Sequence, residues 1–354
     1  MRILIDIGHP GHVHLFAKFS EKMINAGHDV LFTYRQKEFE KELLDNYGFR
    51  SIAFGKHYNT KPGKIWGLFK FNFLMLVQIL RFNPQIIMSH GSIYAAQMAW
   101  LTRHKHISLE DSGNMEQIRL YLPFTRHVLT PDVLTEDLGK KQIRYKGYHE
   151  LAYLHPNVYE QKLNIKQQLG LSVNDNYAVL RFVSWKATHD AGHKGFNSEQ
   201  KKEVIELLLK HFKLFITSEA ELPENLKKHQ IKLHPATLHQ VLSNASLVVS
   251  EGATIASEAG VLGVPTIYVN SIVRSYNEDQ EKYGTVFNFR SGEGVMEKVN
   301  ELISTYDKEV FKERRKNLLN DKIDLTSLLV WFIENYPESA RIMKENPDYQ
   351  YKFK

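Results

Sequence analysis

Two successive series of short β-rich runs, most of them followed by a helical pattern, constrain this chain more than any single motif. The first series covers residues 2–7, 29–34, 50–54, 85–90, 106–110, 127–130 and 142–145. The second covers residues 177–183, 213–217, 231–233, 247–250, 266–269 and 285–289, separated by helical segments such as 200–212 and 239–244. Strands that alternate with helices pair in parallel, because the helix is the crossover that brings the next strand back in the same direction. Past Gly147 comes His-Glu-Leu-Ala-Tyr-Leu-His-Pro, and the polar, Asn-rich stretch that follows, through Asn176, reads as the connection between the two series. The end is helical throughout, at 294–306, 308–319, 325–335 and 337–346, with Pro337 dividing the last two. A chain of 354 residues exceeds what one hydrophobic core organises, so the pattern predicts two α/β domains, 1–150 and 151–325. The last helices, 326–354, are expected to cross back and pack on the first domain.

Composition narrows the function classes. The 43% apolar and 24% charged residues are those of an ordered globular protein. Cysteine is absent, which removes disulfides, thiolate metal sites and thiol nucleophiles from consideration. Residues 1–7 run straight into a strand pattern without the features of a secretory signal, which gives an expectation of cytoplasmic residence. A net charge of +6 implies attraction to something anionic, whether nucleic acid, a membrane surface or a phosphorylated ligand. Nucleic acid ranks last, because the basic residues are scattered and no reading motif is present. Residues 65–80 (IWGLFKFNFLMLVQIL) are strongly apolar but short for a span and interrupted by Lys70, Asn72 and Gln78. They read as a buried helix of the first domain. The alternative is an interfacial helix, with Lys56, Lys61, Lys64, Lys70 and Arg81 near acidic headgroups at the inner face of a membrane.

Two loops carry the chemistry. Gly8-His9-Pro10-Gly11-His12-Val13-His14 follows the first strand and opens a helix, where ligands of open α/β sheets bind and where free amides meet anions. Its imidazoles titrate near neutral pH and suit a general base. The loop is not the dinucleotide glycine fingerprint, so no NAD is expected, and its His-x-His spacing has no acidic or thiolate partner for zinc. In LVVSEGATIASEAGVLGVPTIYV (247–269), a buried strand ends at Ser250, turns at Gly252 and enters a helix near Thr254. Free amides there can face a diphosphate, and Glu258, one turn in, can accept both hydroxyls of a ribose. Arg181, Ser184, Trp185 and Lys186 end the first strand of the second series, where a cation can meet phosphate oxygens. Ser218, Glu219, Asn277, Glu278 and Gln280 are assigned as pocket lining. His189, Asp190 and His193 lie in a loop-like setting that suits hydrogen bonding better than metal binding.

The stretch EGATIASEAGVLGVP resembles the donor-binding motif of the GT-B enzymes, notably the bacterial N-acetylglucosaminyltransferase that makes lipid II. That resemblance implies two facing Rossmann-like domains with a deep interdomain cleft. It places Gly252, Ala253 and Thr254 at the phosphates and Glu258 at the ribose. Gly11 to Val13 is similar to the end of that family's N-terminal glycine-rich loop, without the preceding double glycine. Taken whole, the chain resembles the "domain of unknown function 354" family of the same superfamily, through HPGHVHLF, SLEDSG, HVLTP, KGYHELAYLHP, LRFVSWKATHD and LFITSE.

The expected function is therefore transfer of a sugar from a nucleotide donor, of the UDP class, to a glycan or lipid-linked acceptor in cell-surface polysaccharide biosynthesis. His12, or a nearby Glu110 or Asp111, would deprotonate the acceptor hydroxyl. No Asp-x-Asp occurs, so helix dipoles and basic side chains replace a metal at the leaving diphosphate, and neither metal nor cofactor is expected. The alternatives are a UDP-N-acetylglucosamine 2-epimerase-like enzyme, since SLEDSG is similar to the place where those proteins keep a carboxylate, and a non-catalytic nucleotide-sugar-binding protein.

Overall fold

The computed structural model describes residues 1–56, 58, 60–162, 164–183, 195–218 and 221–354, with the backbone alone for Lys61. The chain forms two compact units, Met1–Val158 with Lys322–Lys354, and Tyr159–Asp321.

The first unit begins β1 (Arg2–Ile7), α1 (Pro10–Asn25), β2 (Asp29–Gln36), α2 (Glu40–Asn46), β3 (Ser51–Lys56) and α3 (Lys61–Phe82). It continues β4 (Ile86–His90), α4 (Ile93–Leu101), β5 (Lys105–Leu109), α5 (Met115–Tyr121), β6 (His127–Pro131), β7 (Gln142–Tyr145) and α6 (Leu151–Leu154). Its seven strands are all parallel in the order β3-β2-β1-β4-β5-β6-β7. Ile3, Leu4, Ile5, Ile87 and Met88 are fully buried, as strands covered on both faces require. The order reverses between β1 and β4. At such a switch point the crossovers leave in opposite directions and open a crevice at the strand ends.

The second unit holds α7 (Ile165–Gln168), β8 (Tyr177–Phe182), α8 (Ser198–His211), β9 (Lys213–Ser218), α9 (Leu238–Ser243), β10 (Leu247–Ser250) and α10 (Ala253–Val261). It closes with β11 (Thr266–Val269), α11 (Ser275–Lys282), β12 (Val286–Phe289), α12 (Val295–Thr305) and α13 (Lys308–Asp321). The five strands are parallel in the order β12-β11-β10-β8-β9, with the reversal between β8 and β10.

The last helices, α14 (Leu325–Glu334) and α15 (Glu338–Glu345), belong to the first unit. Asp324 caps α14 through the Ser327 N–H, and the Thr326 hydroxyl donates to the Ala152 carbonyl at 2.6 Å. Leu325, Leu328, Leu329, Phe332 and Ile333 are fully buried, which explains why the chain returns.

Two expectations need correction. Residues 231–233 form no strand; a single bridge joins Ile216 to Gln230, because His234-Pro235 ends the run after too few residues to build a ladder. The apolar helix α3 is only half covered. Gly67, Phe71, Met75, Ile79 and Phe82 face the core, while Ile65, Trp66, Phe69, Phe73 and Leu80 face outward.

Candidate functional site

In the first unit the switch point gathers residues from four segments. Pro10 starts α1, and His9 caps it by accepting the Gly11 N–H on Nδ1. The Gly8 N–H donates to His12 Nδ1 at 3.3 Å, and the His12 ring stacks on His90 with 4.4 Å between centroids. His90 ends β4, where Gly91 turns the chain at φ +59 into the Ser92 cap of α4. A side chain at Gly91 would be strained and would press on Glu110 Oε2 at 3.3 Å. Asp111 follows β5 and bridges two imidazoles: His90 Nε2 lies 3.0 Å from Oδ1, and His149 Nδ1 lies 3.0 Å from Oδ2. His149 Nε2 is buried with no hydrogen-bond partner among the described residues.

The three groups set each other's charge. Burial works against an ionised Asp111, but the charge and hydrogen bonds of His149 and His90 outweigh it and hold the carboxyl well below its ordinary range. An ionised Asp111 accepts only, so both ring nitrogens that face it carry protons. Burial alone would push His90 down, yet the Asp111 hydrogen bond and charge raise it to about 8. His12 moves the other way: burial first, then the neighbouring His90 and His9, push it well below the imidazole range. The site thus holds a cationic His90 beside a neutral His12 at neutral pH. Facing atoms of His90, Asp111 and His149 lie within 4.8 Å of one another, close enough to hold a metal ion in common.

In the second unit, β10 ends at Ser250 and α10 starts after Gly252, which brings no side-chain cap to the first amides of the helix. The Ser250 hydroxyl closes the turn on the Gly252 N–H and carbonyl. Arg181, at the end of β8 beside β10, donates to the Thr217 hydroxyl at 2.8 Å. Asn277 and Gln280 are fully buried on α11, donating to the Ala253 carbonyl and the Ser257 hydroxyl. Their oxygens, Oδ1 and Oε1, have no hydrogen-bond partner among the described residues. The described acidic groups Glu251 and Glu258 are engaged: Glu251 receives the Val183 and Phe196 N–H groups and Lys201, and Glu258 lies 3.0 Å from His239 Nε2.

Among the residues singled out from sequence, Gly8, His9, Gly11, His12 and Asp111 come together at the first switch point. Glu110 points elsewhere, buried, and accepts the Tyr121 hydroxyl and the Ser112 N–H and hydroxyl. His14, one side of α1 away, packs on Tyr153 and meets the Tyr47 hydroxyl at 3.0 Å. In the second unit Arg181, Gly252, Ala253 and exposed Thr254 cluster at the β8–β10 reversal, and Ser218 ends β9 next to it. Glu258 faces inward to His239 rather than to solvent. Ser184, Lys186 and Glu219, with Trp185, His189, Asp190 and His193, lie outside the described residues. Sequence reasoning passed over His90 and His149; the available signal was Ser-His-Gly-Ser between a strand and a helix.

These two parallel sheets define a GT-B fold, shared with nucleotide-sugar epimerases and glycosyltransferases. A UDP-GlcNAc 2-epimerase of Neisseria meningitidis, solved with UDP-GlcNAc bound, superposes with a TM-score of 0.68 at 14% identity, covering 95% of this chain and 100% of its own. The spinosyn forosaminyltransferase gives a TM-score of 0.61 at 12% identity, covering 91% and 95%. In sequence, residues 1–338 match the family described as "Protein of unknown function (DUF354)", and the chain belongs to it. An uncharacterized protein of Methanocaldococcus jannaschii is 23% identical over 279 residues, 75% of this chain and 80% of that protein.

Proposed function

We propose that this chain is a glycosyltransferase that takes a sugar from a UDP-class nucleotide-sugar and passes it to a glycan or lipid-linked acceptor in polysaccharide biosynthesis. The observation that carries the reading is the Asp111 carboxylate that bridges His90 and His149 at the strand ends of the first sheet. A carboxylate that fixes an imidazole through one nitrogen leaves the other to move a proton, the arrangement general-base catalysis needs. In this scheme His149 Nε2 takes the acceptor hydroxyl proton. The acceptor oxygen bonds to the sugar C1 as the bond from C1 to the diphosphate breaks, and the nucleoside diphosphate leaves. The uncapped amides of α10 and the Arg181 guanidinium on the second unit receive that diphosphate.

A second reading, 2-epimerisation of the nucleotide-sugar, is favoured by one feature: His12, His90, Asp111 and His149 supply more acid–base groups than one deprotonation requires. Incubating the full chain with UDP-N-acetylglucosamine in deuterated water, with and without glycan acceptors, separates the two. Acceptor-dependent UDP release without deuterium at C2 supports transfer. Deuterium at C2 together with the C2 epimer overturns transfer in favour of epimerisation. Absence of binding to any nucleotide-sugar removes both readings.

A further inference from the structure

The outward stripe of α3 is an apolar feature of the first unit that the proposed chemistry does not use. Ile65, Trp66, Phe69, Phe73 and Leu80 are 62%, 62%, 67%, 65% and 65% exposed. Across the α3–α4 packing, Trp100 and Leu101 are 61% and 56% exposed. Contiguous apolar surface of this kind is an interaction site rather than ordinary surface. Residues 62–82 are long and apolar enough to cross a membrane, with a mean hydropathy of 1.4. Their inner stripe, however, is held in the core with Leu4, Leu31, Phe54 and Ile87, so α3 cannot leave the sheet to span.

Charge says what covers this face. Between Asp45 and Glu110 the sequence has no Asp or Glu and eight Lys or Arg residues. Lys64 and Arg81 flank the apolar stripe near the two ends of α3, both exposed. Where α4 ends, Arg103, His104 and Arg126 join Trp100, Leu101 and Phe124 around a cavity of about 350 Å³. His104 Nε2 reaches Asn83, the residue that ends α3, at 3.4 Å, which joins the cavity rim to the apolar stripe. Tryptophan at the apolar boundary, with Arg and Lys beside it and no acid, is the composition of a helix that lies in a membrane interface. A second copy of the same face would set basic rim against basic rim, which disfavours self-association.

We propose that α3 and the end of α4 dock this protein on an anionic phospholipid bilayer, with α3 lying in the interface plane and a lipid phosphate in the cavity of Arg103, His104 and Arg126. The proposal is independent of which reaction the protein catalyses. Its test is co-sedimentation of the full chain with vesicles of phosphatidylcholine alone and of phosphatidylcholine with phosphatidylglycerol at three to one. The protein should sediment with the anionic vesicles and stay in solution with the neutral ones. Binding should fall by about tenfold or more in the triple variant W66S/F69S/F73S, and fall in R103Q/R126Q and in about 0.5 M salt. These side chains are exposed, so thermal unfolding of the variants should match the parent. No sedimentation with either vesicle overturns the proposal, as does equal binding to neutral vesicles. So does a dimer in light scattering that the triple variant disperses, which assigns the face to a second copy. Binding of soluble glycerol phosphate that R103Q/R126Q abolishes, with vesicle binding of that variant unchanged, would assign the cavity to free phosphate and overturn its part in docking.

Discussion

The two sheets repeat one architecture, a parallel sheet with one reversal of strand order, yet they furnish their switch points with opposite chemistry. In the first, the helix starts are closed by their own side chains: His9 accepts the Gly11 N–H, and Ser92 accepts the Ala95 N–H. What remains for a ligand is titratable, namely His12, His90, Asp111 and His149. In the second, the described acidic groups are turned inward, Glu251 to Lys201 and Glu258 to His239, and α10 begins without a side-chain cap. Its first backbone amides receive no cap from Gly252. A side-chain cap takes up one of the free amides of a helix start, and an uncapped start leaves more of them for an anion. Under the proposed function, that difference divides the work, with proton transfer on the first unit and phosphate binding on the second.

The strongest way to break that division is Asp111→Asn. An amide cannot accept from both imidazoles as a carboxylate does, so activity on the nucleotide-sugar should fall about 10²- to 10⁴-fold. The thermal shift given by UDP should be unchanged, because the proposed phosphate site lies on the other unit. Loss of the UDP shift along with activity would show that the two roles are not divided.

Glu258→Ala tests the inward pair of the second unit. Glu258 and His239 have side chains only 4% and 9% exposed, so removing the carboxylate leaves a buried imidazole without its acid. A cost of about 3 kcal/mol in urea unfolding is expected. A loss under about 1 kcal/mol, paired with abolished UDP binding, would mean instead that Glu258 serves the ribose and not the fold.

His90 sharpens the electrostatic side of the comparison. Its pKa in the fold, about 8, lies above the ordinary 6.5, so the folded state binds its proton more tightly than the unfolded state. The stabilisation is fully present below about pH 6.5 and is lost as pH rises through 8, and the shift corresponds to about 2 kcal/mol. The stability difference between the parent and His90→Gln should therefore shrink over that window. His12 and His106, pushed down by burial, act oppositely and only as pH falls below the ordinary imidazole value. A difference flat in pH would remove the Asp111–His90 ion pair from the account.

How much of this is legible without coordinates follows from the range of each signal. Strand and helix periodicity is local, so both parallel series and the returning C-terminal helices could be read directly. His12 and Asp111 could be found because each closes a strand-to-helix loop. His90 carried the same signal in Ser-His-Gly-Ser, but its meeting with Asp111 and His149 could not be read, since only the order β1-β4-β5-β6-β7 brings segments so distant in sequence to one crevice. For α3 the composition was plain but the orientation was not: a helix apolar on both faces gives no stripe to read, and only packing on Leu4, Leu31 and Ile87 decides which face is left outside. The partner of Glu258 was out of reach for a related reason, because a position one turn into a helix does not say whether His239 waits on the inner side.

The smallest effect on stability should come from Gly252→Asp, and it bears most directly on the uncapped helix start. Gly252 has φ −94 and ψ 123, which any residue can adopt, and a Cβ there would meet the Ser250 hydroxyl and Arg181 at 3.6 and 3.7 Å, ordinary contact. An Asp at that N-cap can accept an N–H of the first turn and should stabilise the unliganded protein by a few tenths, about 0.3 kcal/mol, over glycine. The same carboxylate would occupy the amides with its own negative charge. UDP affinity should then fall by tenfold or more while the protein melts no lower, about 1.4 kcal/mol lost in binding against a slight gain in folding. A helix start that merely terminates a turn would show the gain without the loss, and only one kept open for phosphate shows both.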